Sequence, residues 1–441
     1  MSRETLNATH NKSRDVLWYA AAVAIAAGVF AALWALAPPA VVPKPLEHAY
    51  YVWQKQWNGD VRESVSRADA DAHAFMVLAG EINAAANGAL RLDPAYPGWN
   101  ALAAYRTPLT LVVRANAALG DALEFDAQSG AAAFVCDTFA RVLEEAEAKG
   151  VSIAGLQLDY DCPSSKLESY AALVDAWRAR FGAYELSITA LPTWLKWAAF
   201  SELAGKLSYY VLQVHSLDAP ASIDDDVILC DTTLIPGYLR RAAALNVPFY
   251  IALPTYGYRF VFDGDGKFTA IFAEGPQPEL QPGYTIRTVM TDAASVAEVV
   301  RALQRMHPPT LRGIAWFRLP VATDTLNWTW PALVAVREGR TPVTAINAEL
   351  RAPSPGLFEV WVVNTGETSP TGAVRVPVRY SANDILAFDV HGGFSPEPES
   401  GGHVLAGPAP RPETSALAAW YRTRTPQTAG PTVGTVTMVP Q

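Results

Sequence analysis

Short apolar runs alternate with longer amphipathic stretches along most of this chain. Strand-like runs stand at Tyr50–Gln54, Phe75–Gly80, Leu109–Ala115, Ile153–Asp159, Glu185–Ala190, Tyr209–Val214, Pro248–Leu253 and Arg312–Phe317. Between them lie Ala- and Leu-rich stretches with charges on one side, such as Ala131–Lys149, Leu167–Phe181 and Tyr238–Asn246, whose period is helical. Eight β/α units between residues 49 and 340 predict an α/β fold, a (β/α)8 TIM barrel. A doubly wound open sheet is the alternative, and the count of eight disfavours it. The connection from Phe260 to Thr291 is long and contains Asp263-Gly264-Asp265-Gly266, a hairpin-turn sequence, so a small strand insertion is expected at the barrel mouth. Beyond residue 340 the helical period disappears. Phe358–Asn364, Ala373–Arg379 and Ile385–Val390 alternate or run apolar between Gly, Pro, Ser and Asn, which predicts a β-sandwich-like domain over residues 341–441. Its part from Ser395 onward, rich in Pro and Gly, is expected to be partly irregular.

The N-terminus follows another pattern. Residues 1–15 are polar and include Arg3, Lys12 and Arg14, and Val16 to Ala37 is an uncharged apolar run of 22 residues. That length spans a bilayer as a helix and exceeds the apolar core of a cleaved signal peptide. Basic residues before the run favour a cytoplasmic N-terminus, which puts the globular part outside the cytoplasm. Ala35-Leu36-Ala37 has the form of a cleavage site, but Pro38 follows and disfavours processing. The expectation is therefore a short cytoplasmic tail, an uncleaved single-pass transmembrane anchor over residues 16–37, and a Pro-rich linker over residues 38–48.

Composition narrows the partners. A net charge of −9 without a run of Lys or Arg argues against nucleic acid. The three cysteines, Cys136, Cys162 and Cys230, form no CxxC pair, so a thiolate zinc site is not expected. They leave room for one disulfide of open pairing, or for thiols that pack as small apolar groups. No metal or organic cofactor is implied.

The densest candidate chemistry is Gly155-Leu156-Gln157-Leu158-Asp159-Tyr160-Asp161-Cys162-Pro163. On a strand Gln157, Asp159 and Asp161 share one face and Leu156 and Leu158 the other. Three polar groups on one face of a core strand are costly unless that face lines a solvated pocket. Glycosidic cleavage needs one carboxyl held protonated and a second group to bear charge, and neighbouring carboxylates raise one another's pKa. Asp161 is thus the candidate acid and Asp159 its partner. The competing reading, that the two cap the following helix, explains one acidic residue but neither the second nor Gln157.

Other strand ends add candidates. Glu81 follows the second run as a further carboxylate or a plain loop residue. Arg114 follows the third, suited to an anionic sugar or to a structural ion pair. His215 follows the sixth, as a site or a core histidine, sharing a face with Gln213. Trp53, Trp57, Trp194, Trp197, Tyr256, Tyr258 and Trp316 lie at or just after strand ends, where rings can stack on the C–H faces of sugars. Asp224-Asp225-Asp226 reads as a solvated turn.

Three segments carry a resemblance. Leu158-Asp159-Tyr160-Asp161 resembles the carboxylate-rich fourth strand of the chitinase-like glycoside hydrolases of family 18. Ala252-Leu253-Pro254-Thr255-Tyr256-Gly257-Tyr258-Arg259 resembles that family's Gly-x-Pro-x-Tyr-Gly-Arg segment. Gly313-Ile314-Ala315-Trp316-Phe317 is similar to the strand that supplies its pocket-floor tryptophan. Leu-Gln-Leu-Asp-Tyr-Asp-Cys-Pro and Ile-Thr-Ala-Leu-Pro-Thr-Trp further resemble the uncharacterised bacterial DUF3142 family. The first resemblance puts Asp161 on the general acid and Asp159 on the assisting aspartate. It puts Gln157 and Ala154 where further aspartates stand, and shortens the acid from Glu to Asp. If an N-acetyl sugar is cleaved with its own assistance, the stabilising role falls to Gln213 or His215, with Tyr256, Trp316, Trp194, Trp53, Glu81 and Arg114 around the substrate. Together these readings imply a glycoside hydrolase-like enzyme acting on a polysaccharide or oligosaccharide, held in a bacterial inner membrane with its globular part periplasmic or extracellular. The alternative is a catalytically inactive polysaccharide-binding or scaffold protein of the envelope, which the degenerate Ala154 and Gln157 favour.

Overall fold

The computed structural model describes residues 45–125, 130–215, 219–275, 278–370 and 372–439. The expected tail, anchor and most of the linker lie outside the described residues, and among those described no helix is long and apolar enough to cross a membrane.

Eight parallel strands close into a barrel. They are β1 (Glu47–Val52), β2 (Ala74–Ala84), β4 (Leu109–Ala115), β5 (Gly155–Tyr160), β6 (Glu185–Ala190), β7 (Tyr209–Gln213), β8 (Phe249–Pro254) and β12 (Leu311–Phe317), with β1 paired to both β12 and β2. The open-sheet alternative fails on that double pairing. β3 (Leu90–Pro94) forms a hairpin with the extended end of β2, an element its weak Leu-Arg-Leu-Asp-Pro alternation did not announce.

Each strand splits its side chains between two apolar clusters. Leu156, Leu158 and Tyr160 of β5 point outward and join the layer under the surrounding helices, together with Phe139, Tyr170 and Trp177. The inner cluster fills the lumen with Tyr51, Met76, Leu78, Val112, Tyr209, Val211, Tyr250, Ala252 and Ala315. The floor is closed by Arg312, whose guanidinium lies 4.8 Å over Tyr209 and 5.1 Å over Tyr250 and 3.3 Å from the Glu47 carboxylate. The helices start where the capping chemistry is. The Asn58 side chain accepts from Val61 N at the start of Gly59–Ala68, Asp292 accepts from Ala294 N and Ser295 N at the start of Ala293–Met306, and Thr329 caps Trp330–Arg337.

The long connection is a three-stranded antiparallel sheet of β9 (Gly257–Phe262), β10 (Phe268–Phe272) and β11 (Thr285–Met290). Asp263 turns its hairpin by accepting from the backbone of Asp265 and Lys267, with Gly266 at φ +75°.

The C-terminal part is a sheet domain. One sheet runs β13 (Ile346–Ser354), β14 (Leu357–Asn364), β19 (Ser415–Thr423), β16 (Ile385–Val390). The other runs β17 (Ser395–Glu399), β18 (Gly402–Pro408), β15 (Ala373–Arg379), β20 (Thr432–Val433), with β21 (Thr437–Val439) also on β15. The two share one apolar cluster that includes Val360, Val376, Leu405 and Tyr421. Residues from Ser395 onward hold five of these strands with irregular stretches between them, so this part is partly irregular as expected. The prolines of Ser-Pro-Glu-Pro-Glu sit in an edge strand, where a missing N–H is tolerated. All three cysteines are free thiols, Cys136 and Cys162 buried.

Closure leaves no space at one point. A Cβ on Gly313 would run into the Glu47 backbone of the neighbouring strand. Gly313→Ala is therefore expected to cost about 3 kcal/mol, read as a lower urea midpoint with an unchanged slope. Wild-type stability would mean that β1 and β12 do not approach this closely.

Candidate active site

The carboxyl ends of the barrel strands gather most of the singled-out residues, and lumen-side alternation decides which of them meet. On β5, Gln157 is fully buried and Asp159 half-buried, while Asp161 stands exposed at the tip. Gln157 accepts from the Tyr51 hydroxyl at 2.6 Å and donates to Ser187 Oγ at 3.1 Å, so its amide ties three strands together across the lumen. One step higher, Thr189 donates to Asp159 Oδ1 at 2.7 Å. Neither aspartate caps a helix. The short turn Ser164–Lys166 starts at Pro163 and helix Leu167–Phe181 at Lys166, both without a side-chain cap, which removes the competing reading.

Burial pushes the Asp159 carboxyl up to about 6; the Thr189 hydrogen bond opposes this and the neighbouring Asp161 charge adds to it. Asp161 is also raised by the protein mass around it, while Arg114 pulls it down. Arg114 is the register partner of Asp159 on β4, and Glu81 is the register partner of Arg114 on β2. Glu81 accepts from Lys55 Nζ at 2.5 Å and lies 3.9 Å from the Arg114 guanidinium. Charges of alternating sign therefore run across four neighbouring strand ends.

Aromatic rings form the opposite side. Trp53 meets Tyr51 at 5.8 Å and Phe317 at 4.9 Å, Phe317 stacks on His215 at 5.3 Å, and Tyr256 meets both Phe317 and His215 edge-on. Tyr258 donates to the Tyr256 hydroxyl at 3.4 Å, and the Tyr256 hydroxyl and His215 Nδ1 share a hydrogen bond at 3.2 Å. Burial lowers the His215 pKa to about 4, so the imidazole is neutral near pH 7. Gln213 ends β7 on the lumen face, half-buried.

Two expectations fail. Trp316 faces outward: it is fully buried, lies against the His48 ring, and donates to His48 Nδ1 at 3.1 Å. Ala315 and Phe317 hold the lumen face of β12, so Phe317 occupies the place assigned to Trp316. Trp194 is fully buried beneath the mouth against Tyr170 and Phe200 and donates to the Cys162 carbonyl at 3.1 Å. It braces the loop that carries Asp161 and touches no open surface. Of the other tryptophans, Trp57 packs beside Gly98 and Trp197 is exposed next to Lys196.

Four contributors escaped the sequence reading: Tyr51, Thr189, Arg318 and Phe317. Counting alternation from Gln157 on the adjoining β6 would have found Thr189, whereas Tyr51 lies across the lumen on β1. Arg318, buried, binds Asp324 at 2.6 Å and Glu274 at 2.5 Å and donates to the Ala273 carbonyl, tying the inserted sheet to the mouth. Its signal lies in tertiary contacts alone. Among the described residues no group of three or more His, Cys, Asp or Glu is placed to hold a metal ion.

Residues 106–322, from the third strand to just past the eighth, match the family described as "Domain of unknown function (DUF3142)". This segment is a DUF3142 domain. Among solved structures the chain is similar to the spore cortex-lytic enzyme SleL of Bacillus megaterium QM B1551, at 12% identity over 69% of this chain and 76% of that one, TM-score 0.49. It is similar to a chitinase of Chromobacterium violaceum ATCC 12472 at 15% identity over 67% and 98%, TM-score 0.47. Chitinase ChiA74 of Bacillus thuringiensis is a third, at 10% identity over 89% and 100%, TM-score 0.42. No curated protein matches.

The raised carboxyl at Asp159 has a sign that can be measured. A folded-state pKa near 6, above the ordinary carboxylate value, means that this group's favourable contribution is present below about pH 4 and lost as pH rises through 6. Asp159→Asn is thus expected to raise Tm relative to wild type above pH 6, with the gain shrinking toward pH 4. A difference in Tm that does not change with pH would show that Asp159 does not titrate in this way.

Proposed function

We propose that this chain is a glycoside hydrolase-like, carbohydrate-active enzyme of the bacterial cell envelope, anchored in the inner membrane by residues 16–37 and cleaving a polysaccharide or oligosaccharide outside the cytoplasm. The observation that carries this reading is the pair Asp159 and Asp161. Both are raised by burial, Asp159 lies at the carboxyl end of β5 with Asp161 just past it, and the packed rings of Trp53, Phe317, His215 and Tyr256 belong to the same mouth.

The chemistry follows from position. Asp161, exposed at the tip, reaches a bound glycan and gives its proton to the glycosidic oxygen as the bond to the anomeric carbon breaks. Asp159, held by Thr189 and itself raised by burial, shares the pair's proton, and the charge left on the pair when that proton is given up lies near the developing cation. Water then completes the anomeric carbon and returns a proton to the carboxylate pair. Gln213 and the neutral imidazole of His215 are hydrogen-bonding groups for sugar substituents. The rings supply stacking worth about 1 kcal/mol per well-placed contact.

A second reading, a glycan-binding protein of the envelope without turnover, is favoured by Gln157. Its amide is consumed by Tyr51 and Ser187, in a position where a carboxylate is expected of the resembling hydrolases. The two readings separate on one variant. Asp161→Asn should reduce release of reducing ends by about 10²- to 10⁴-fold while glycan binding, measured calorimetrically, is retained. Turnover absent from both wild type and variant, with equal binding, supports the binder. Phe317→Ala should weaken binding about fivefold or more, whereas Trp316→Phe should leave it unchanged; the reverse pattern would return the platform to Trp316.

A further inference from the structure

The charges across the mouth are unequally employed. The buried arginines of the rim are fully engaged: Arg318, with its side chain 3% exposed, spends its fork on Asp324, Glu274 and a carbonyl, and Arg259 donates to the Gly275 carbonyl and Thr325 Oγ1. Arg114 differs. Its side chain is 52% exposed, and its one ion-pair contact among the described residues is Glu81 at 3.9 Å, beyond hydrogen-bond reach. Among the described residues its guanidinium makes no hydrogen bond. Lys55, 50% exposed, already takes Glu81 at 2.5 Å. Lys55 and Arg114 thus share Glu81 as their ion-pair contact, Asp159 and Asp161 act on Arg114 only through space, and the planar five-donor fork of Arg114 faces solvent next to the strand that carries Asp159 and Asp161.

A site for neutral sugar hydroxyls has no need of this arrangement, because amides, hydroxyls and carboxylates match them without the desolvation cost of a cation. An unspent guanidinium beside a second cation matches a carboxylate, which it binds through two parallel N–H···O bonds. We propose that Lys55 and Arg114 form a subsite for a carboxylate-bearing sugar, so that the glycan taken by this barrel is acidic. This rests on the glycoside hydrolase-like reading above and narrows its substrate class. Glu81 holds Lys55 at 2.5 Å and lies 3.9 Å from the Arg114 guanidinium, which keeps the two cations side by side. The sources of such a carboxylate to be told apart are the C5 carboxyl of a uronic acid and a lactyl ether on a ring hydroxyl.

The test uses the full chain carrying Asp161→Asn, which binds without turnover if the hydrolase reading holds. Calorimetric titration compares uronic acid oligosaccharides, and separately lactyl-ether-bearing oligosaccharides, with the same compounds after their carboxyls are reduced to alcohols. The expected result is tighter binding of one acidic series, by about tenfold or more, with the preference shrinking as salt rises. Adding Arg114→Gln should abolish the preference while the reduced glycans bind as before. Lys55→Gln, at a more exposed position, should lower it and serves if the arginine variant does not fold. Whichever series shows the preference identifies the carboxylate's source. Equal affinity for acidic and reduced glycans, or a preference that survives both substitutions, overturns the subsite and leaves the hydrolase reading standing. Binding of neither form in any series overturns both.

Discussion

Pairing of β1 with both β2 and β12 is the constraint on which the rest of the molecule depends. Once the eight strands close, each has an inside and an outside, and the lumen is only wide enough to be filled by side chains. Tyr51, Tyr209 and Tyr250 take up much of that space, and each brings a hydroxyl that must be satisfied away from water. Gln157 accepts from Tyr51 and donates in turn to Ser187, Thr110 lies near the Tyr209 hydroxyl, and Tyr250 donates to Glu47. The amide at residue 157 is therefore part of the barrel's packing as much as part of any site.

A filled lumen also sets the electrostatics above it. Asp159 rests on a floor that excludes water, which is why its carboxyl is raised although Thr189 hydrogen-bonds it. Asp161, two residues further, has left the sheet and meets solvent. Two like groups thus acquire different environments from their height on one strand, the condition for two carboxylates to take different roles. The rim completes this environment: Arg318 and Arg259 fasten the inserted sheet over one side, while Lys55, Glu81 and Arg114 remain open on the other.

Trp316 and Phe317 show where reading by pattern stops. They are neighbours, both aromatic, at the end of the same strand, and a strand places neighbours on opposite faces. Which of them enters the lumen depends on the register of β12 against β8, and that register shifts between Leu311 and Gly313. No local property of Gly-Ile-Ala-Trp-Phe announces the shift. Trp194 is a similar case: it follows a strand end, as a platform residue would, yet the descending chain folds it under the loop and spends its indole N–H on Cys162.

Periodicity alone was enough for the eight strands, most of their boundaries, the inserted hairpin and the sheet-rich C-terminal part, because the hydrophobic pattern must follow the geometry of the element that buries it. The same alternation put Gln157, Asp159 and Asp161 on one face and made β5 the centre of attention. The strands beyond Ser395 were harder to see, since edge strands tolerate the proline and glycine that otherwise signal irregular chain. Only the closed structure decided that Phe317 and not Trp316 faces the lumen, that Gln157 is held by Tyr51 and Ser187, and that Arg114 keeps its fork free while Arg318 does not. Those outcomes depend on contacts between residues far apart in sequence, and pattern within one segment carries no record of them.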